Sequence, residues 1–166
     1  MRKSTVGAAL LAAVSTAALG VLTAAPAQAA EYSSALKIRG VQYDAPGTDR
    51  NSCTSGNTDE EYLTLKNYSK TATINLKGYV VEDAAGNSFT FTASHSLQPG
   101  DYIRLRGGNG ADSDAKNVVY RDNCNFMWNN DKDTIYLYKP SGPRSDVHGY
   151  TRSADGDRNG YITFHS

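Results

Sequence analysis

Cysteine is scarce in this 166-residue chain: Cys53 and Cys124 are its only two, and no Cys-x-x-Cys occurs. That argues against a zinc ribbon or a dithiol redox site. Histidine is nearly as sparse. His95, His148 and His165 stand apart in sequence, and no His-Glu-x-x-His offers a metalloprotease site. No Gly-x-Ser-x-Gly supplies a nucleophile, and the run Gly107-Gly108-Asn109-Gly110 lacks the lysine that would reach a phosphate. Charge of one sign is also missing, with 17 basic against 17 acidic residues and no block of Lys or Arg. Composition therefore carries no electrostatic footprint for nucleic acid, and no nucleic-acid partner is expected.

The one long apolar run lies at the start. Arg2 and Lys3 precede an Ala-rich stretch from Val6 to Leu22, and Ala27-Gln28-Ala29 supplies a small-x-small cleavage site. Residues 1–29 read as a secretory signal peptide. Ser15, Thr16, Gly20 and Pro26 make the stretch a poor spanning helix, so a retained anchor is the weaker reading. After cleavage the chain is expected to be secreted, with no membrane partner, and it carries 15 basic against 17 acidic residues.

What remains is long enough for one core. Turn clusters such as Ala45-Pro46-Gly47, Ala85-Gly86-Asn87, Pro99-Gly100 and Ser141-Gly142-Pro143 leave no room for ordinary helices. Between them apolar residues alternate: Leu36 and Ile38, Leu63 and Leu65, Phe89 and Phe91, Ile103 and Leu105, Ile135 and Leu137. Period two with one apolar face is what two packed sheets require, so the predicted class is all-β, a sandwich of two mainly antiparallel sheets. Strands are predicted over residues 36–43, 61–67, 73–76, 79–83, 88–92, 102–106, 118–121, 134–138 and 147–150, with long loops over 44–59 and 107–116. Long loops at a sandwich end are the default places for a binding surface.

Several positions have a physical reason of their own. Leu63 and Leu65 point inward while Tyr62, Thr64 and Lys66 face out, and Asn67 ends that strand as a left-handed residue or a side-chain cap. Gly78 sits at a bend where a Cβ would crowd, and Pro99-Gly100 sets a type II turn. Trp128, the only tryptophan, precedes the turn Asn129-Asn130-Asp131 and reads as a buried anchor before a ligand platform.

An even pair of cysteines in an exported domain reads first as a disulfide, which joins the 44–59 loop to the segment before Trp128. Closing some seventy residues contributes roughly 4 kcal/mol in the chain-entropy model. A metal or redox site is the competing reading of the two thiols.

Taken in order, Glu61 to Asn67, Leu76-Lys77-Gly78-Tyr79, Phe89-Thr90-Phe91, Leu97-Gln98-Pro99-Gly100-Asp101-Tyr102 and Trp128 to Thr134 resemble the lamin tail domain. The resemblance implies an immunoglobulin-like β-sandwich without chemistry of its own, here a bacterial secreted single-domain member spanning 31–152. It also implies that Trp128 belongs to a structural corner. Cys53 and Cys124 have no required counterpart in the family, and nothing here has the heptads of a filament rod, so nuclear partners do not carry over.

The tail, 153–166, holds Asp155-x-Asp157-x-Asn159-Gly160-x-Ile162, which matches the opening of a calcium loop. Asp155, Asp157 and Asn159 offer side-chain oxygens and Tyr161 a carbonyl, but Ser166 stands where a bidentate Glu belongs. Any Ca²⁺ affinity there is weak, about 0.1 to 1 mM or poorer, and no cofactor is otherwise expected. A polar turn before a short strand at 161–164 is the leading reading of the segment.

Carboxylate groups such as Asp59-Glu60-Glu61, Asp112-x-Asp114 and Asp131-x-Asp133 read as surface solvation and turn chemistry, because a catalytic pair needs one member desolvated. The chain is expected not to be an enzyme. The leading functional reading is a structural or protein-binding module. The alternative is an envelope glycan-binding module using Tyr62, Tyr102, Tyr136 and Tyr138, which cross-strand pairing explains as well. Hydrolysis is a distant third.

Overall fold

The computed structural model describes residues 34–152 and 159–165. Residues 1–29, where a signal peptide is expected, and Asp155 and Asp157 lie outside the described residues. Among those described there are eleven strands: β1 (Leu36–Gln42), β2 (Tyr62–Asn67), β3 (Ile74–Asn75), β4 (Val80–Glu82), β5 (Ser88–Thr90), β6 (Ser96–Leu97), β7 (Tyr102–Arg106), β8 (Val118–Tyr120), β9 (Lys132–Tyr138), β10 (Arg144–Thr151) and β11 (Tyr161–Thr163). No helix here is long and apolar enough to cross a membrane.

Five strands form one sheet in the order β11-β1-β2-β7-β8, four form a second in the order β10-β9-β4-β5, and β3 pairs with β6. All pairings are antiparallel except β7 with β8. The fold is an all-β, immunoglobulin-like sandwich. One continuous core joins the sheets: Leu36, Ile38, Val41, Leu63, Leu65, Ile103, Leu105 and Val119 meet Val81, Ile135 and Leu137, with Leu76, Phe91, Met127 and Trp128 closing the ends. Leu63 and Leu65 are 0% exposed and Trp128 is 5% exposed. Each such side chain, fully buried, favours the folded state by about 1.5–3 kcal/mol.

Turn chemistry fixes the register. Asn67 acts as a cap rather than a left-handed residue: its Nδ2 donates to the carbonyls of Ala72, Leu97 and Gln98, while its Oδ1 accepts from the Ser69 N–H. Gly78 and Gly100 have φ of +85° and +88°, and a Cβ on Gly78 would lie 2.9 Å from Pro140 Cβ. Asp101 N–H donates to the Gln98 carbonyl at 3.0 Å and closes the Pro99-Gly100 turn.

Two expectations need correction. Phe91 lies in the core but Phe89 is only half-buried, because β5 ends at Thr90 on the edge of its sheet. Thr64 holds an outward position yet is buried, flanked by the longer Arg104 and Tyr161. Gly40 gives the reason that Tyr161 can come so close: a Cβ there would stand 2.5 Å from the Ile162 carbonyl oxygen and 2.8 Å from the Tyr161 hydroxyl. Gly40→Ala is therefore expected to loosen β11 and cost about 1–3 kcal/mol, read as a lower urea midpoint with unchanged m. An unaltered midpoint would contradict this packing.

Candidate functional site

Register places the outward side chains of the five-stranded sheet in three rows. One runs Tyr161, Gln42, Tyr62, Arg106, Tyr120; the next Thr163, Gly40, Thr64, Arg104, Val118; the third Lys37, Lys66, Tyr102. No acidic residue stands in these rows. Arg39 sits at the β1 bulge between Ile38 and Gly40 and joins Thr64, Lys66, Tyr102, Arg104 and Tyr161 around a shallow depression. A nearly neutral chain thus carries a locally basic face.

Aromatic rings hold the cations in place. The Arg104 guanidinium lies 5.0 Å from the Tyr62 ring centre and 5.7 Å from that of Tyr102, and Arg106 lies 5.6 Å from Tyr62. Lys66 Nζ is 5.1 Å from the Tyr68 ring. Such contacts restrict long side chains and leave their N–H groups available to an acceptor. Arg106 also donates to the Asp59 carbonyl at 2.8 Å. Among the described residues Tyr102, 39% exposed, is the large apolar side chain most open to solvent.

The four tyrosines grouped in the sequence do not form one platform. Tyr62 and Tyr102 belong to the five-stranded sheet, while Tyr136 and Tyr138 are on β9 of the other. Arg144 lies 4.9 Å from the Tyr136 ring, and the two β9 rings stand 6.3 Å apart and tilted. Cations over Tyr62 and Tyr136 occupy ring faces that a sugar would need.

The long loops meet at one place. Cys53 and Cys124 form a disulfide with Cα atoms 5.0 Å apart, and Gly107 passes so close to Thr58 that a Cβ there would strike the Thr58 carbonyl. Ser52, Gly56, Thr58, Asp59, Gly108 and Asn109 line a small polar hollow beside the disulfide. In the C-terminal segment, Gln42 Nε2 donates to the Asn159 carbonyl at 2.8 Å, and the Asn159 Oδ1 accepts from the Tyr161 N–H at 3.3 Å. Gly160 has φ of +71° and passes against Asp44.

Two acidic residues grouped with the surface carboxylates are buried. Asp133 Oδ1 accepts from the N–H groups of Ala84 and Thr134, and its Oδ2 from the Asn129 N–H and Nδ2, so it ties the turn after Trp128 together. Glu61 Oε2 accepts from the Met127 N–H at 3.0 Å and the Trp128 N–H at 3.5 Å, while Oε1 has no hydrogen-bond partner. Desolvation outweighs these donors and the Arg121 charge, and pushes the Glu61 carboxyl up to about 8. Within an acidic triplet, only the start of a strand two positions before Leu63 marked Glu61 as inward-facing. The histidines also need correction, since His148 and His165 meet at 2.9 Å.

Among known families, the model described as Lamin Tail Domain matches residues 29–152, which is most of the chain. No curated protein matches it.

Proposed function

The chain belongs to the lamin tail domain family, and from that premise we propose that it is a secreted, noncatalytic docking module whose five-stranded face seats an acidic protein surface. The observation that carries this reading is Arg104 held between Tyr62 and Tyr102 on a face whose rows contain no carboxylate. Tyr and Arg are the residues most enriched where protein interfaces draw their energy, and fixing them before contact lowers the ordering cost. A glycan platform fits less well, because tyrosines are divided between the sheets and partly covered by cations. Secretion is supported by the signal-like start and agrees with the disulfide.

Poly-L-glutamate serves as a probe of acidic polypeptide, and insoluble cell-wall polysaccharide as the competing one. The mature domain is expected to bind poly-L-glutamate in a salt-sensitive manner, and Arg104→Ala to weaken binding at least about fivefold, with Tyr136→Ala unchanged. Absence of binding, or equal binding by Arg104→Ala, removes the proposal. Retention on the polysaccharide that is lost in Tyr102→Ala would replace it with the glycan reading.

A further inference from the structure

Where β10 passes the edge of β1, three side chains converge from distant parts of the sequence. His148 Nε2 and His165 Nε2 are 2.9 Å apart, and Asp146 Oδ2 lies 3.4 Å from the first and 3.5 Å from the second. We propose that Asp146, His148 and His165 bind a divalent transition-metal cation of the zinc class.

Donor separations carry the argument. Ligands 2.0–2.1 Å from a tetrahedral ion stand about 3.3 Å from one another, near the average of the three observed distances. An ion at that bond length from all three atoms would lie about 0.8 Å out of their plane, close to the tetrahedral value of about 0.7 Å. Hydrogen bonding accounts for the group less well. A neutral imidazole pair can share one proton at 2.9 Å, but the carboxylate oxygen, at 3.4 and 3.5 Å, is too far for a strong bond to either ring. Two protonated Nε2 atoms at that separation would repel.

The surroundings hold the donors as a metal site requires. Asp146 is the buried member, and the Ile38 N–H at the β1 bulge donates to its Oδ2 at 2.8 Å, fixing the carboxylate from behind. Phe164 stacks on His148 with ring centres 4.5 Å apart and planes 13° from parallel. Tyr68 meets His165 edge-on at 5.8 Å, and its hydroxyl donates to the His165 carbonyl. Supporting contacts of this kind orient ligands and set affinity. Lys37 Nζ, 3.6 Å from Asp146 Oδ1, opposes a second positive charge and moderates the affinity. Two imidazoles and one carboxylate favour zinc, cobalt or nickel over calcium or magnesium, which prefer all-oxygen sites.

Such an ion would tie the residues after β11 to β10, clasping the seam between the sheets. Zn²⁺ titrated into the full chain is expected to bind at one per molecule and to raise Tm by about 5 °C when well above Kd. His148→Ala and His165→Ala should each weaken binding at least about tenfold, while Asp114→Asn leaves it unchanged, because Asp114 Oδ1 instead meets His95 Nδ1 at 2.6 Å. Co²⁺ in the same site should give the visible absorption of a tetrahedral ion, and Zn²⁺ should slow exchange of the Phe164 amide, which is bonded to the Arg39 carbonyl. If either alanine variant fails to fold, His165→Gln takes its place. No stoichiometric binding, or wild-type affinity in the His148 and His165 variants, overturns the site.

Discussion

Raising the pH from 4.5 to 8 is expected to cost the folded domain on the order of 4 kcal/mol through Glu61 alone, given its ordinary value of 4.5 and a folded value of about 8. Below that window the carboxyl is protonated whether or not the chain is folded. Within it, the folded state keeps a proton that the unfolded state has released, so stability declines as pH rises. Above it both states are ionised and the effect levels off. Arg121 favours the charged form and Asp49 opposes it, but burial dominates both. Asp146 acts in the other direction and elsewhere: against its own desolvation, the Ile38 N–H bond and the nearby His148 and Lys37 hold it below the usual carboxylate range, so its contribution is lost only in stronger acid. Glu61→Gln should flatten the slope, since an amide oxygen can accept from Met127 and Trp128 without ionising. The variant should be the more stable protein at pH 8.5, with urea midpoints at pH 4.5, 6 and 8.5 as the measurement. A flat wild-type profile would refute the account.

Loss of the disulfide is the second large effect. Cys53 and Cys124 are separated by 71 residues, and releasing that constraint is expected to cost about 4 kcal/mol in the chain-entropy model. Cys53→Ser with Cys124→Ser should lower the denaturation midpoint, and nonreducing mass should show no free thiol in the wild type. The same segment delivers the Met127 and Trp128 N–H groups to Glu61. Combining the cysteine changes with Glu61→Gln should therefore depart from additivity by at least about 0.5 kcal/mol at pH 8.5. Two free thiols, or an unchanged midpoint on reduction, would remove the premise.

Strands were legible wherever one face is buried and the other wet. Leu63 with Leu65, Ile103 with Leu105 and Ile135 with Leu137 declared β2, β7 and β9 because alternation leaves few other ways to bury those pairs. The two-residue β6 is too short to show a period, and pairing of β8 parallel to β7 depends on a contact that local pattern does not encode. The functional face was harder. Cross-strand neighbours, not sequence neighbours, bring Arg104 to Tyr62, and membership in opposite sheets separates Tyr102 from Tyr136. Glu61 was hidden by its acidic neighbours. His148 and His165 were hidden by a chain reversal that puts them together only once β11 has returned beside β1.

The return of β11 also sets an order of events. During synthesis β1 emerges before every other strand described, yet its flank from Gly40 to Gln42 is covered only by residues 161–163. That flank stays bare while the rest of the sandwich assembles, open to strand addition by another nascent chain. Adjacency of β1 and β11 equally suits the domain to being reopened elsewhere, with a bridge from the end of β11 to the start of β1.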